Sequence, residues 1–296
     1  MERIAFYGKG GIGKSTIATS TSLLLARKSH RVLHVGCDPK HDSSLVLVKD
    51  PKHFKTVVDQ IVQGNEDLEP EDLIMEGIEG IHCVESGGPQ AGRGCGGRAV
   101  SRSFEIFEEI ELVDSELYDV VVYDVLGDVV CGGFAAPMRR SAQSKVVVIL
   151  SEEMMAAYAA NRIAAAITQF EKNGIVLAGL VVNLRNNQAD LHPILRFAEA
   201  INTKILGVIP RDPLVCEAEL YRQSIIDYAP ESPVAQEITK IAEKVLSISR
   251  ESCPVPTPIP DVQVREIMRG FSAENPVSSP PPMKERVSLV TEWSKI

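Results

Sequence analysis

Apolar residues along this chain gather in short continuous runs rather than alternating with polar ones. Runs rich in Val, Ile and Leu occupy residues 3–7, 31–35, 81–84, 120–123, 145–150, 176–182 and 204–209. A strand that is apolar on both faces has to be covered on both faces, which predicts a parallel sheet between two helical layers. The stretches between the runs carry helical periodicity and predict helices at 14–28, 98–112, 154–172, 191–200, 214–222 and 234–249. Strand and helix alternate, so the predicted fold class is α/β, a doubly wound, mostly parallel sheet.

No linker interrupts this pattern before about residue 250, so residues 1–250 read as one domain and 251–296 as a C-terminal extension. Eight of the 18 prolines fall in that extension, and PVPTPIP and SSPPP cannot lie inside a helix. Within it, Val264, Ile267, Met268 and Phe271 follow the i, i+3, i+4, i+7 spacing of one short amphipathic helix that docks onto another surface.

Composition narrows the functional classes. Apolar residues make up 44% of 296 and charged residues 24%, enough for a real core and too ordered a balance for a disordered chain. A formal charge of −9 argues against diffuse attraction to nucleic acid or anionic lipid, so neither is expected as a partner. No run approaches the ~20 apolar residues of a membrane span, and the chain opens on strand-like RIAFY, so a cytoplasmic location is expected. Six cysteines without a C-x-x-C pair, in a reducing compartment, predict metal ligation or plain burial rather than disulfides.

The first run leads directly into Gly8-Lys9-Gly10-Gly11-Ile12-Gly13-Lys14-Ser15, which satisfies G-x-x-x-x-G-K-[ST] in strand–loop–helix context. Glycines let backbone N–H groups turn toward phosphate oxygens, and the helix that follows contributes its positive end. Lys14 is the expected partner of the β- and γ-phosphates, Ser15 the expected Mg²⁺ ligand, and Thr16 completes the nucleotide-binding segment. Lys9 is additional to the minimal motif. The deviant phosphate-loop ATPases that this loop resembles, among them partitioning and electron-transfer ATPases, use such a lysine across a dimer interface, which implies a homodimer.

Ligands of an open α/β sheet bind outside the carboxyl ends of the strands. The second run ends in residues 36–44, GCDPKHDSS, and the fourth in residues 124–128, DVLGD. Asp38, Lys40 and Ser43 on one side and Asp124 and Asp128 on the other are therefore candidate nucleotide sensors, with helix capping and turn formation as the plain alternative for the aspartates.

Cys95 stands in GRGCGGR and Cys131 in VVCGG. Flanking glycines remove bulk and free backbone N–H groups to face sulfur, as an anionic cluster requires. Two ligands are too few, but two copies meeting at a two-fold axis would supply four thiolates. Four thiolates also suit Zn²⁺, and plain structural thiols are a third reading. Cys37, Cys83, Cys216 and Cys253 lack this context and are expected to be buried.

Taken together, residues 8–15 and 37–44, GRGCGGR at 92–98, YDVLGDVVCGGFAAPMR at 123–139 and EMMAAYAANRI at 153–163 closely resemble the nitrogenase iron protein family. That family includes dinitrogenase reductase and the nucleotide-binding reductases of tetrapyrrole-reducing and other nitrogenase-like systems, and the resemblance spans about residues 1–250. It implies that Cys95 and Cys131 hold a 4Fe–4S cluster bridging two subunits and that residues 9–15 bind MgATP. It places Asp38, Lys40 and Ser43 in switch I and Asp124 and Asp128 in switch II. Asn183, Pro210, Arg211 and Asp212 match the adenine and ribose segment, Glu219 an acidic nucleotide contact, and Arg98 the docking surface for a catalytic partner.

The implied activity is an ATP-hydrolysing reductase in which Lys9, Lys14, Asp38 and Asp128 serve hydrolysis, with a ferredoxin or flavodoxin as donor and a separate metalloenzyme as acceptor. Residues 41–44, HDSS, look more like the tetrapyrrole-reducing branch, whereas Arg98 and 123–139 look more like dinitrogenase reductase. The helix at 101–112 and the proline-rich tail fit neither branch. This mixture implies a nitrogenase-like reductase with its own partner. A dinitrogenase reductase of nitrogen fixation and a partitioning-type regulatory ATPase are the alternatives.

Overall fold

The computed structural model describes residues 1–65, 67–89, 94–127, 132–140 and 143–270. Asp128, Cys131 and the tail beyond residue 270, including Phe271, lie outside them.

The strands are β1 (Glu2–Gly8), β2 (Val32–Cys37), β3 (Met75–Glu76), β4 (His82–Glu85), β5 (Val120–Val125), β6 (Lys145–Leu150), β7 (Val176–Asn183) and β8 (Ile205–Ile209). They form one sheet in the order β3-β4-β2-β5-β1-β6-β7-β8, parallel throughout except where β3 runs antiparallel to β4 at the edge. The predicted mostly parallel, doubly wound sheet is the observed one. β3 has no counterpart among the predicted strands because two residues carry no readable periodicity.

The helices are α1 (Lys14–Arg27), α2 (Val57–Val62), α3 (Pro70–Leu73), α4 (Gly96–Glu109), α5 (Ala136–Arg140), α6 (Met154–Gln169), α7 (His192–Ala200), α8 (Leu214–Leu220), α9 (Ile225–Tyr228), α10 (Pro233–Ser247) and α11 (Asp261–Met268). None of the described helices is long and apolar enough to cross a membrane. α4 starts two residues earlier than its periodicity predicts, because Cys95 takes the N-cap position and admits Gly96 and Gly97 to the helix. α6 ends at Gln169, and a short turn, Glu171–Asn173, closes on Gly174 instead of extending the helix to 172. α10 starts where Ser232 accepts from the Ala235 N–H and Pro233 fills the first turn.

β5, β1 and β6 are buried along almost their whole length, as their unbroken apolar runs require. α1 is buried as well, despite four consecutive hydroxyl residues. Thr19 Oγ1 donates to the Ser15 carbonyl at 2.7 Å, Thr21 Oγ1 to that of Ile17 at 2.8 Å, and Ser20 pairs with Ser224. Hydroxyls satisfied in this way can sit where apolar side chains would. Cys37 and Cys83 are buried as expected, whereas Cys216 is exposed and Cys253 only half-buried. The correction follows from α8, whose buried position is Ala218 and not Cys216.

Residues 254–268 run along α6 and α7. The Asn161 amide brackets Ile259, donating to its carbonyl at 2.7 Å and accepting from its N–H at 3.0 Å. Thr257 N–H donates to the Ile201 carbonyl, and Arg162 pairs with Asp261 at 2.9 Å. Val264 is fully buried there, and Ile267 and Met268 pack on the same core. Val264→Asp should undock α11 and expose the 249–262 segment to limited proteolysis while the remainder stays protected. A fragmentation pattern identical to wild type would contradict this packing.

Glu85 ends β4 with its carboxyl in space that Gly36 of β2 leaves by having no side chain. Its Oε1 accepts from the Ser44 N–H at 2.6 Å and the Ser44 hydroxyl at 2.7 Å, and Oε2 is buried without a partner. Burial raises this carboxyl to a pKa of about 8, with the two Ser44 bonds opposing the rise. An unfolded glutamate titrates near 4.5, so between 4.5 and 8 the folded chain holds a proton that the unfolded chain has released. Stability contributed by this site is therefore present below that window and declines as pH rises through it. Glu85→Gln keeps the acceptor for Ser44 and cannot ionise. Its stability relative to wild type should rise by on the order of a few kcal/mol between pH 5 and pH 8, measured by denaturant unfolding.

Candidate functional site

The strand ends converge at one edge of the sheet. Phe6 of β1 and Gly36 of β2 both pair with Asp124 of β5, so Gly8, Cys37 and Asp124 emerge side by side. The loop after Gly8 turns into α1 at Gly13, whose φ of 96° is the left-handed conformation that only glycine adopts cheaply. A side chain there would also collide with Asn183, whose Nδ2 donates to the Ile12 carbonyl at 2.8 Å. The Arg185 guanidinium donates to the Gly11 carbonyl. Two loop carbonyls are thus engaged by donors from the end of β7 and just beyond it, which reduces their repulsion of an anion.

Lys14 is only 7% exposed. Burial lowers its pKa, and Asp124 and then Asp38 pull it back toward the charged form. Asp124 is buried beside it and its pKa is raised by burial, against the opposing effects of Lys14 and of hydrogen bonds from the Ser15 and Ser43 hydroxyls. Asp124 Oδ1 is buried with no hydrogen-bond partner. An orphaned carboxylate oxygen next to Ser15 fits a divalent cation, bound directly or through water. Ile12 is buried, Thr16 half-buried in the first turn of α1, and Lys9 exposed.

The segment after β2 divides in two. Asp38 and Pro39 are half-buried and Lys40 to Asp42 exposed, with the Lys40 ammonium 3.9 Å from Asp38 and 3.8 Å from Asp42. Ser43 and Ser44 turn inward. Ser43 Oγ lies 2.8 Å from His34 Nε2, and Ser44 is held by Glu85. On the other flank, Gly127 lies against Gly10, so close that a Cβ would overlap the Gly10 backbone.

Glycines that follow the two cysteines in sequence also meet. Cys95 is exposed at the N-terminus of α4, a 14-residue helix whose positive end favours thiolate. Gly133, two residues beyond Cys131 in sequence, packs on Gly97, two beyond Cys95. A Cβ at Gly133 would stand 2.5 Å from the Gly97 carbonyl oxygen. Pro39 occupies the space left by Gly88 and Gly96, which places the sensor segment against the Cys95 loop. Tyr7, preceding Gly8, donates its hydroxyl to the Phe134 carbonyl at 3.2 Å, and the two rings meet edge to face at 4.9 Å. Arg98 is exposed in the first turn of α4. Among the described residues no three His, Cys, Asp or Glu side chains converge as a metal site, so any metal held by Cys95 needs ligands from the Cys131 segment or a second copy.

The loops after β7 and β8 close the opposite side. The Asn187 amide clasps Arg211, accepting from its N–H at 2.7 Å and donating to its carbonyl at 2.9 Å. Glu152 accepts from the N–H groups of Arg185 at 3.0 Å and Asn186 at 2.8 Å. Pro210 is half-buried, Asp212 accepts from the Leu214 N–H at the start of α8, and Glu219 is exposed on that helix. His34, Glu85, Glu152, Arg185 and Asn187 belong to this neighbourhood and are not among the residues that motif and spacing point to. For His34 the readable signal is a lone polar residue within an apolar strand. The other four carry none.

A family model for 4Fe-4S iron sulfur cluster binding proteins, NifH/frxC family, matches residues 2–274. Solved structures match in fold. The septum site-determining protein MinD of Pyrococcus horikoshii, complexed with Mg-ADP, is 21% identical with a TM-score of 0.65, covering 83% of this chain and 96% of that one. The ParA family ATPase of Chlorobium tepidum is 17% identical, TM-score 0.63, with coverages of 82% and 98%. Cobyrinic acid a,c-diamide synthase of Mycobacterium smegmatis, with bound ADP and magnesium, is 21% identical, TM-score 0.61, with coverages of 88% and 100%. With a family match over nearly its whole length and a phosphate-loop ATPase fold, the chain belongs to the NifH/frxC family of 4Fe-4S iron sulfur cluster binding proteins.

Proposed function

We propose that the protein is an ATP-dependent reductase component, in which two copies share one 4Fe–4S cluster and pass low-potential single electrons to a separate nitrogenase-like metalloenzyme. The observation that supports this reading is the packing of Gly133 on Gly97, residues that follow Cys131 and Cys95 by two positions each. One chain offers two thiolates, so the cluster requires a homodimer. Cys95 and Cys131 would hold it, and when bound it supplies a one-electron couple whose potential responds to hydrogen bonding and exposure.

The remaining chemistry belongs to the chain. Lys14 and the loop N–H groups bind the phosphates, Ser15 and Asp124 receive Mg²⁺, and Lys9 reaches toward the partner subunit's nucleotide. Asp38 or Asp128 orients the attacking water. Asn183, Pro210, Arg211, Asp212 and Glu219 frame the adenosine, with Lys40 and Ser43 sensing the nucleotide state. Movement of residues 124–128 has only three residues of chain, at most about 10 Å, before it reaches Cys131. Arg98, exposed beside Cys95, is the proposed docking contact, and a ferredoxin or flavodoxin of the cytoplasm the proposed donor. Dinitrogen reduction stands as the alternative, because the partner protein chooses the final substrate.

Anaerobically purified dimer should be brown and hold about four irons. Cys95→Ser should lose the iron and its visible absorbance yet still bind MgADP, whereas full iron content in that variant would refute the ligand assignment. Colourless wild-type protein that hydrolyses ATP would point instead to a regulatory ATPase. Lys14→Ala should lower ATP turnover by at least roughly a hundredfold and leave the iron in place, as read by phosphate release and iron analysis.

A further inference from the structure

A buried polar chain runs beneath the nucleotide site from α1 to β5 and is not part of the phosphate-loop motif. Ser22, on the third turn of α1, has its hydroxyl 2.9 Å from His34 Nδ1. His34 Nε2 lies 2.8 Å from the Ser43 hydroxyl, which faces Asp124 closely enough to hold that carboxyl's pKa down against burial. His34 and Ser22 are fully buried, and Ser43 and Asp124 are each 2% exposed.

Hydrogen-bond polarity fixes the protons along this chain. Asp124 beside Lys14, ionised as a cation ligand must be, only accepts, so Ser43 directs its single hydroxyl proton to that carboxylate. Ser43 then has only lone pairs to offer His34, which must carry its proton on Nε2. With Nε2 protonated and the ring neutral, Nδ1 is an acceptor, and the Ser22 hydroxyl is its donor. Burial keeps the ring neutral, lowering its pKa to about 3. Every group in the chain has one assignable role only if the protons all point toward Asp124.

We propose that His34 is a positioning residue of the nucleotide site: held by Ser22 as the Nε2–H tautomer, it orients the Ser43 hydroxyl onto Asp124 and so aims the remaining carboxylate oxygen at the divalent cation. Asp124 Oδ1, buried and without a partner, is the oxygen left for that cation. The role extends the nucleotide-site reading and is independent of the iron–sulfur cluster.

The test measures ADP affinity by calorimetry, with Mg²⁺ and in EDTA, on the intact protein. Wild type should bind ADP more tightly with Mg²⁺. Without that gain, the Mg²⁺ site and the role of His34 would both fall. His34→Leu and Ser43→Ala should each cut the Mg²⁺-dependent gain roughly three- to tenfold, the weight of one hydrogen bond, with the affinity in EDTA unchanged in His34→Leu. His34→Gln, which keeps an N–H donor in reach of Ser43, should restore part of it. The double variant His34→Leu/Ser43→Ala should lose no more than Ser43→Ala alone, because both act through one contact. An unchanged Mg²⁺ gain in Ser43→Ala or in His34→Leu, or additive losses, would overturn the proposal. Nitrogen-15 spectra of histidine-labelled wild type, with His34→Gln to identify the signal, give a second reading that survives any folding defect in His34→Leu. The Nε2–H tautomer supports the chain of donors, and the Nδ1–H tautomer refutes it.

Discussion

Lys14 and Asp124 are an ammonium and a carboxylate buried at the end of an apolar sheet, and the architecture of the site follows from keeping both there. Each is pushed toward its neutral form by burial and drawn back by the other. A buried pair of this kind contributes little to stability, since desolvation offsets most of the attraction. In the proposed function, its presence is accounted for by what it would receive: phosphate next to the lysine, a divalent cation next to the carboxylate. The serines that surround Asp124 reduce the desolvation cost, and they reach it only because Ser15 lies in the first turn of α1 and Ser43 is turned inward after β2. Loop, first helix and sensor segment are thereby committed to one geometry.

From that centre the contacts lead outward through backbone close approaches rather than long side chains. Gly127 lies on Gly10, Gly133 on Gly97, and Pro39 against Gly88 and Gly96. At such contacts there is no flexible side chain to absorb a displacement, so a shift of a few tenths of an ångström on one side must be taken up by backbone on the other. The sensor segment after β2 therefore touches the Cys95 loop directly, a second route beside the short stretch that joins Asp124 to Cys131.

Much of this was legible from residue patterns, for definite reasons. Seven strands of the sheet announced themselves as short runs rich in Val, Ile and Leu, because a strand covered on both faces has little solvent side on which to place polar residues. The phosphate loop was legible because glycine, lysine and serine at fixed offsets between a strand and a helix rarely arise for any reason but phosphate binding. What escaped were positions whose meaning depends on a partner far along the chain. His34 reads as an intruder in VLHVGC, and only Ser22 and Ser43, meeting it from two elements, give it a role. Glu85 looks like a strand end until Gly36 leaves room for its carboxyl. The clasp between Asn187 and Arg211 joins two loops by backbone groups, which leave no trace in residue type.

The paired serines also decide which part of the sensor segment can respond to nucleotide. Ser43 is held by His34, and Ser44 by two bonds to Glu85. Three buried hydrogen bonds at roughly 0.5–1.5 kcal/mol each resist withdrawal of this pair by about 1.5–4.5 kcal/mol. At the other end Cys37 is fixed in β2, fully buried. Residues 38–42 lie between two anchors, partly or fully exposed, with His41 at a φ of 48° that costs a non-glycine residue strain. A ligand shifts a conformational balance only by its difference in affinity for the two states. Contacts made by phosphate or cation to Asp38 and Lys40 need to overcome the strain and the exposed ion pairs of five residues, not the buried serine bonds. Pro39, which packs against Gly88 and Gly96, lies between those two anchors.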